Sequence, residues 1–242
     1  MMKNIPTEEN ILDAAKEEFL QYGYMEASMR RIASKAGCTT GMLYYRFKDK
    51  DELFTALVKE GADRFAEKFM TLQQDFKNLP GDIQIEGLFD YSDDGMGELN
   101  DILYRYFDAF KLIVCFGSGS SYENYTDRLV DAETQSTFDF IRTLKANGHN
   151  VPPIKEEMYH MLASAMMNGI FEVVAHDFSK EDAKEYIYDL KRFFSAGWTF
   201  LNSKTKSNVF INIHIWKKSI FLKDCIYISF IRRNIRNVFS FK

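Results

Sequence analysis

The sequence predicts an all-α protein in which a small N-terminal three-helix unit precedes a larger helical body. Apolar residues recur at steps of three or four through most of residues 7–201, which is the spacing of one helix face. Only four prolines occur, so long helices are permitted. Hydrophobic residues make up 46% of the chain and aromatic residues 15%, enough to fill a sizeable core.

Three short helices are predicted at the N-terminus, each bounded by residues that begin or end helices. The first spans 7–22, with a threonine N-cap at its start and Gly23 at its end. Asn10 stands where a capping box would have Glu or Gln, so we expect an imperfect box. The second helix spans 28–36 and the third about 40–47, with a glycine and a capping threonine between them.

The body is predicted to consist of longer helices. The signals between 83 and 94 are mixed, and Gly87, Gly95 and Gly97 favour a short helix and a loop there. The clearer helices are one capped by Asp49 and ending before Pro80, then 98–116, 122–146, one opened by Pro152-Pro153 and reaching about His176, and a last one from Ser179 to Leu201.

These patterns divide the chain into residues 1–50, a helix-turn-helix unit, residues 51–203, a helical body, and a tail of residues 204–242. The tail has nine Lys or Arg residues against one acid, and its residues 211–215 alternate as in a strand. We assign the tail no role.

Charge is unevenly distributed. The net charge is −4, yet residues 28–50 contain six basic residues against one acid. A local basic patch on an acidic body suits a protein that touches nucleic acid at one end. The three cysteines are far apart and odd in number, so no disulfide framework is predicted and a cytoplasmic location is expected. No signal peptide or membrane span is predicted.

Two short helices joined by a tight turn, with basic residues around the second, form a candidate helix-turn-helix. A helix that enters the major groove needs small polar residues where its start approaches base edges, and needs hydroxyl or guanidinium donors one turn later. A lysine at the start of the next helix suits a phosphate. The predicted DNA-contacting residues are Ser28, Arg30, Thr39, Thr40, Gly41, Tyr44, Tyr45, Arg46 and Lys50.

Residues 7–57 closely resemble the head of tetracycline-repressor-family regulators. The features that carry this resemblance are Ile11 to Ala15, Phe19, Tyr22 to Tyr24, Ser28 to Ala33 and Ala36 to Leu53. The resemblance implies a homodimer on a palindromic double-stranded operator, a four-helix dimer interface made by the last two helices, and a small-molecule pocket in the body. It also implies base contacts by Arg30, Thr40, Gly41, Tyr44 and Arg46, and phosphate contacts by Thr39, Tyr45 and Lys50. Arg46 stands where the family commonly has His, and Cys38 where it commonly has Val, so the operator sequence cannot be transferred.

Two sets of body residues are candidates for the pocket and the interface. The pocket candidates are Tyr104, Phe107, Phe110, Cys115 and Phe116, although ordinary core is the simpler interpretation of each. The interface candidates are Met158, Leu162, Met166, Gly169, Phe194 and Trp198. The effector is expected to be a small apolar or aromatic molecule.

The sequence therefore predicts that this chain is a ligand-responsive transcriptional regulator, a repressor rather than an activator, and not an enzyme. No catalytic constellation, metal site or cofactor motif is found in the sequence. Two alternatives remain open: an enzyme acting on a small molecule in the helical body, and a protein-interaction module built on the head-like helices.

Overall fold

The computed structural model describes residues 7–81, 84, 91–149, 151 and 154–202. Nine α-helices make up nearly all of this part of the chain, which contains no strand, so the predicted all-α class is confirmed. In order they are α1 (Glu8–Glu26), α2 (Met29–Lys35), α3 (Thr40–Arg46), α4 (Lys50–Asn78), α5 (Tyr91–Arg105), α6 (Phe107–Phe116), α7 (Tyr125–Ala146), α8 (Glu156–Ala175) and α9 (Lys180–Asn202).

The chain separates into two compact units, residues 1–198 and 199–242. In the second unit only residues 199–202 are described, and they are helical. The predicted strand-like pattern at 211–215 and the Pro152-Pro153 helix start lie outside the described residues. The division of the first unit into a head and a body stays a prediction.

The first three helices pack around a small core. Ile11, Phe19, Ile32 and Leu43, from α1, α2 and α3, are fully buried against one another and the start of α4. Burial of four such side chains is the main reason that these short helices, marginal in isolation, hold together.

The start of α1 corrects one expectation. The Thr7 hydroxyl accepts from the Asn10 backbone N–H at 3.3 Å, and the Asn10 amide oxygen accepts from the Thr7 backbone N–H at 3.0 Å. The predicted imperfection was wrong, because the Asn10 amide oxygen takes the place of the usual Glu or Gln oxygen and completes the capping box. At the other end the predicted break is confirmed, since Gly23 has a φ of 72° and a non-helical backbone before the last turn to Glu26.

Helix α4 contacts α1, α5, α6 and α7. Its 29 residues correspond to a length of about 43 Å. At its N-terminal end Phe54 packs edge-on against Phe19 of α1, with ring centroids 5.1 Å apart. Further along, Phe65 packs against Phe110 of α6 and Phe171 of α8. One continuous helix thus packs against α1 near its start and against α6 and α8 further along.

The helix predicted over 98–116 is instead divided, and it begins earlier. Gly95 and Gly97 lie inside α5 rather than in a loop. The break falls at Tyr106, whose ψ of 35° is not helical. The Tyr106 hydroxyl donates to Glu60 of α4 at 2.7 Å, a contact that fixes this residue against the neighbouring helix.

Candidate nucleic-acid interface

Residues 36–39 form the tight turn between α2 and α3. Gly37 has a φ of 72°, in the left-handed region that favours glycine. The Cys38 N–H then donates to the Ala33 carbonyl at 2.9 Å, which closes the end of α2. Thr39 begins α3, and its hydroxyl accepts from the Met42 N–H at 3.2 Å. Local signals therefore set the angle at which α3 leaves the turn.

Helix α3 has a buried apolar face and an exposed face that carries two tyrosines. Leu43 and Phe47 are buried against α1 and α2, whereas Tyr44 is 49% and Tyr45 is 90% exposed. Two consecutive tyrosines that the fold leaves exposed provide a surface that can contact another molecule. Tyr45 is the most prominent group of this surface.

The other residues predicted to contact DNA lie around this helix. Arg30, Thr39, Gly41 and Arg46 are exposed, while Ser28 and Thr40 are half-buried. The structure therefore leaves most of the predicted set accessible to a partner, and DNA contact by each of them stays a prediction.

Ion pairs between the basic residues and α1 shape the charge of the surface. Lys35 pairs with Glu17, and Arg46 Nη1 lies 3.8 Å from Glu8 Oε2. Arg30 is exposed, and within the described residues its side chain makes no ion pair. Its guanidinium is thus placed to pair with an external phosphate or base.

The Lys50 side chain, which we expected to contact a phosphate, contacts backbone carbonyls of the protein instead. Its ammonium donates to the backbone carbonyls of Tyr24, Met25 and Ala27, at 2.6, 3.0 and 3.4 Å. It also lies 4.5 Å from the centre of the Tyr24 ring, and burial lowers the pKa of the ammonium. This geometry favours a structural tie between α4 and the end of α1 over the predicted phosphate contact.

A second set of contacts, which the sequence analysis did not predict, joins α1 to α2 through the buried carboxylate of Glu18. Its carboxylate accepts from the Ser28 backbone N–H at 2.8 Å and from Arg31 Nε at 2.7 Å. Arg31 also donates to the Glu26 carbonyl and stacks on the Tyr22 ring. An acidic residue on the apolar face of α1 was the available signal. Arg31 therefore holds α2 against α1.

The pocket candidates separate into two groups. Tyr104, Phe107 and Phe116 are half-buried at the edge of the body core, and the Tyr104 hydroxyl donates to the Phe178 carbonyl at 2.9 Å. Phe110 is fully buried among the rings of Phe65, Tyr125 and Phe171. Cys115 is exposed, so it does not fit the predicted lining of an internal pocket.

The interface candidates lie on α8 and α9. Met158 is exposed, and Leu162, Met166 and Phe194 are half-buried. Gly169 lies against Leu190 of α9, and a Cβ added at Gly169 would be 2.9 Å from Leu190 Cδ2. The glycine therefore permits a close contact between α8 and α9 of the same chain, and not necessarily one between two copies. The Trp198 side chain lies outside the described part. The structure adds exposed apolar residues that the prediction omitted: Met161, Tyr188 and Phe193.

The residues that the structure describes lack two other features. They contain no group of three or more His, Cys, Asp or Glu side chains placed to hold a metal ion. None of their helices is both long and apolar enough to cross a membrane.

A short helix that exposes two tyrosines after a tight turn defines the class of the head, a helix-turn-helix DNA-binding unit. Residues 11–57 match the family model described as bacterial regulatory proteins, tetR family. Residues 11–57 of this chain are thus similar to the head of tetR-family regulators.

Curated relatives support the same assignment. An HTH-type transcriptional repressor of Mycobacterium tuberculosis is 43% identical over 56 residues, 23% of this chain and 30% of that protein. The HTH-type transcriptional repressor AcnR of Corynebacterium efficiens is 37% identical over 65 residues, 27% of this chain and 35% of that protein. The similarity to these relatives thus spans about a third of their length.

The fold of the whole described chain is also similar to that of a solved structure. A TetR-like transcriptional regulator from Rhodococcus sp. RHA1 aligns with a TM-score of 0.53 and 19% identity, covering 80% of this chain and all of that one. At this identity the likeness establishes the fold alone, an N-terminal helix-turn-helix followed by a larger helical domain.

Proposed function

We propose that this protein is a DNA-binding transcriptional repressor that binds a palindromic operator as a homodimer and releases it when a small molecule binds the body. The observation that carries the proposal is the α3 surface, where Tyr45 is 90% exposed, in a head that matches the tetR-family model and in which Arg30 of α2 is also exposed. Phosphate contacts would supply much of the affinity and base contacts the selectivity. We place this activity in the cytoplasm, where the operator is found.

A double substitution, Arg30→Ala with Tyr45→Ala, is expected to weaken operator binding by about 100-fold or more, since each such contact contributes about 1–3 kcal/mol. The measurement is binding of the purified protein to the duplex upstream of its own gene across a salt series. The slope of log affinity against log salt should become shallower by about one for each phosphate that the variant no longer neutralises.

Arg142→Ala is the matched control, because Arg142 is an exposed arginine of α7, away from the head. It should retain wild-type affinity and salt slope. Equal binding by the double variant and the wild type would mean that α3 does not face the operator. A wild-type protein without selective binding to this duplex or to any selected genomic fragment would contradict the function itself.

The homodimer is supported by apolar side chains left at the surface of α8 and α9. Met161 is 64% and Phe193 is 60% exposed, and Met158 and Tyr188 lie on the same two helices. Single exposed apolar residues are ordinary, but four on two adjacent helices indicate a surface for another protein. A second copy of the chain would bury them and hold two heads in successive major grooves.

Met161→Asp is expected to shift the protein from dimer to monomer at micromolar concentration, because a carboxylate would be placed in an apolar contact. Sedimentation of the full chain measures the shift, and operator affinity should fall in parallel. Met70→Asp is the control, since Met70 is a similarly exposed methionine on α4. A dimer that tolerates Met161→Asp would place the interface elsewhere.

Response to an effector is supported by direct contacts between body and head. Lys16 of α1, in the head, donates to Asp108 of α6, in the body, at 3.0 Å. Asp51, the first body residue after the head, accepts from the Ser121 N–H at 2.8 Å. A ligand that binds one arrangement of these helices more tightly shifts the population toward it and changes the position of the head.

A further inference from the structure

The first helix of the head and the helix-turn-helix carry opposite charge. Helix α1 has six acidic residues and one lysine, whereas residues 28–50 have six basic residues and one acid. Residues 7–50 therefore have no net charge. This balance is unusual for a unit that binds DNA, because the part of the affinity that is independent of sequence comes from an excess of positive charge facing the phosphates.

Ion pairs between helices bring these opposite charges together. Arg46, the last residue of α3, has its Nη1 3.8 Å from Glu8 Oε2, at the start of α1. Lys35, the last residue of α2, pairs with Glu17 of α1. In both pairs the cation belongs to the helix-turn-helix and the acid to α1.

These two pairs contribute little to the stability of the fold. About a third or more of each of the four side chains is exposed, and exposed ion pairs stabilise proteins only weakly. The pair between Arg31 and Glu18 differs, since the Glu18 carboxylate is buried and also accepts from a backbone N–H. Glu8 and Glu17 therefore act mainly on the charge that the head presents to another molecule.

The ion pairs leave few basic side chains of residues 28–50 to contact phosphate. Three of the six are paired with acids of α1, and Lys50 donates to backbone carbonyls. Within the described part of the chain, Arg30 and Lys48 are the two whose side chains have neither kind of contact. A phosphate that approaches Arg46 or Lys35 must displace an acid that also repels it.

We propose that Glu8 and Glu17 limit the sequence-independent affinity of the head for DNA, by neutralising Arg46 and Lys35. The inference rests on the proposed function, of which it specifies the regulation. A chromosome offers very many non-operator sites, and weak binding to each leaves the protein free to find the operator and to leave it when an effector binds.

The test measures binding of the full-length Glu8→Gln/Glu17→Gln variant to a fluorescent duplex with the scrambled sequence of the upstream region, across a salt series. Both acids are exposed, so glutamine should be tolerated at each position. Affinity at 0.1 M salt is expected to rise by about tenfold or more. The slope of log affinity against log salt should become steeper by about two for each head that contacts the duplex.

A matched control removes two negative charges from α4. Glu67 and Asp75 are exposed acids of this helix, and they lie about 25 Å or more along it from Lys50. That distance exceeds the Debye length of about 10 Å at 0.1 M salt, so Glu67→Gln/Asp75→Asn should bind like the wild type.

A second comparison tests whether Glu8 acts through Arg46. In a chain that already carries Arg46→Gln, adding Glu8→Gln should raise affinity for the scrambled duplex by less than about half of its effect in the wild type.

Three results would overturn the proposal. They are an unchanged or lower affinity of the Glu8→Gln/Glu17→Gln variant for the scrambled duplex, an equal rise in the α4 control, and an undiminished effect of Glu8→Gln in the absence of Arg46. A wild type that binds no operator would contradict the repressor function, whereas the scrambled duplex would still decide whether α1 opposes binding to DNA.

Discussion

Phe110→Ala is expected to lower the free energy of unfolding by about 3–5 kcal/mol, the usual cost of removing a fully buried phenylalanine and leaving a cavity. Phe110 is inaccessible to solvent and contacts the rings of Phe65, Tyr125 and Phe171, with centroids 5.4–6.3 Å away. Thermal unfolding measures the effect, which corresponds to a decrease in Tm on the order of 10 °C. The result would establish Phe110 as core rather than as part of a ligand pocket.

Tyr45→Ala is the matched control for this substitution. It also removes an aromatic ring, but from a side chain that is 90% exposed. Its unfolding free energy should change by less than about 0.5 kcal/mol, as for most surface substitutions. If Phe110→Ala lowered the free energy of unfolding by less than about 1 kcal/mol, the ring would border an open cavity. Phe110 would then again be a candidate lining residue of the ligand pocket.

Glu18→Ala is expected to lower the free energy of unfolding by about 2–3 kcal/mol and to weaken operator binding. The substitution removes the acceptor of the Ser28 backbone N–H, at the start of α2, and of the Arg31 guanidinium. Hydrogen bonds to a charged group contribute more than neutral ones, and the abandoned donor at Ser28 is half-buried. Because α2 carries the turn and α3, a loosened α2 would misplace the tyrosines of the interface.

Chemical denaturation and operator binding, measured on the same preparations, test this prediction. Glu18→Gln retains an acceptor oxygen without the charge, so we expect about half of the destabilisation. Glu67→Ala is the control for removal of a glutamate at the surface, since Glu67 is an exposed residue of α4, and it should leave stability nearly unchanged. A Glu18→Ala protein as stable as the wild type would show that the α1–α2 joint depends on apolar packing alone.

The head was the part of the fold that could be predicted most fully. Thr7, Thr39 and Asp49 each cap the helix that follows them, and Gly23 and Gly37 interrupt the backbone where expected. Each of these signals acts within three or four residues, so it can be read without knowing what packs nearby.

The body was predicted less accurately because its features depend on distant contacts. Helix α6 is apolar on nearly every side, so periodicity alone could not show that Phe110 is buried and Cys115 exposed. The break at Tyr106 accompanies a contact with Glu60, 46 residues away. Neither residue carries a local sequence signal for a helix break.

The sequence by itself was sufficient for the all-α class, the helix-turn-helix and the candidate surface of α3, since caps, glycines and short-range spacing specify them. Tertiary packing, by contrast, decided which groups each side chain contacts. Lys50, predicted to bind phosphate, reaches the Tyr24 carbonyl 26 residues away, and Asn100, one polar residue among many in the sequence, has an amide oxygen without a partner among the described residues of the body. Both outcomes depend on which surfaces are brought together and closed to water, and long-range contacts alone determine that.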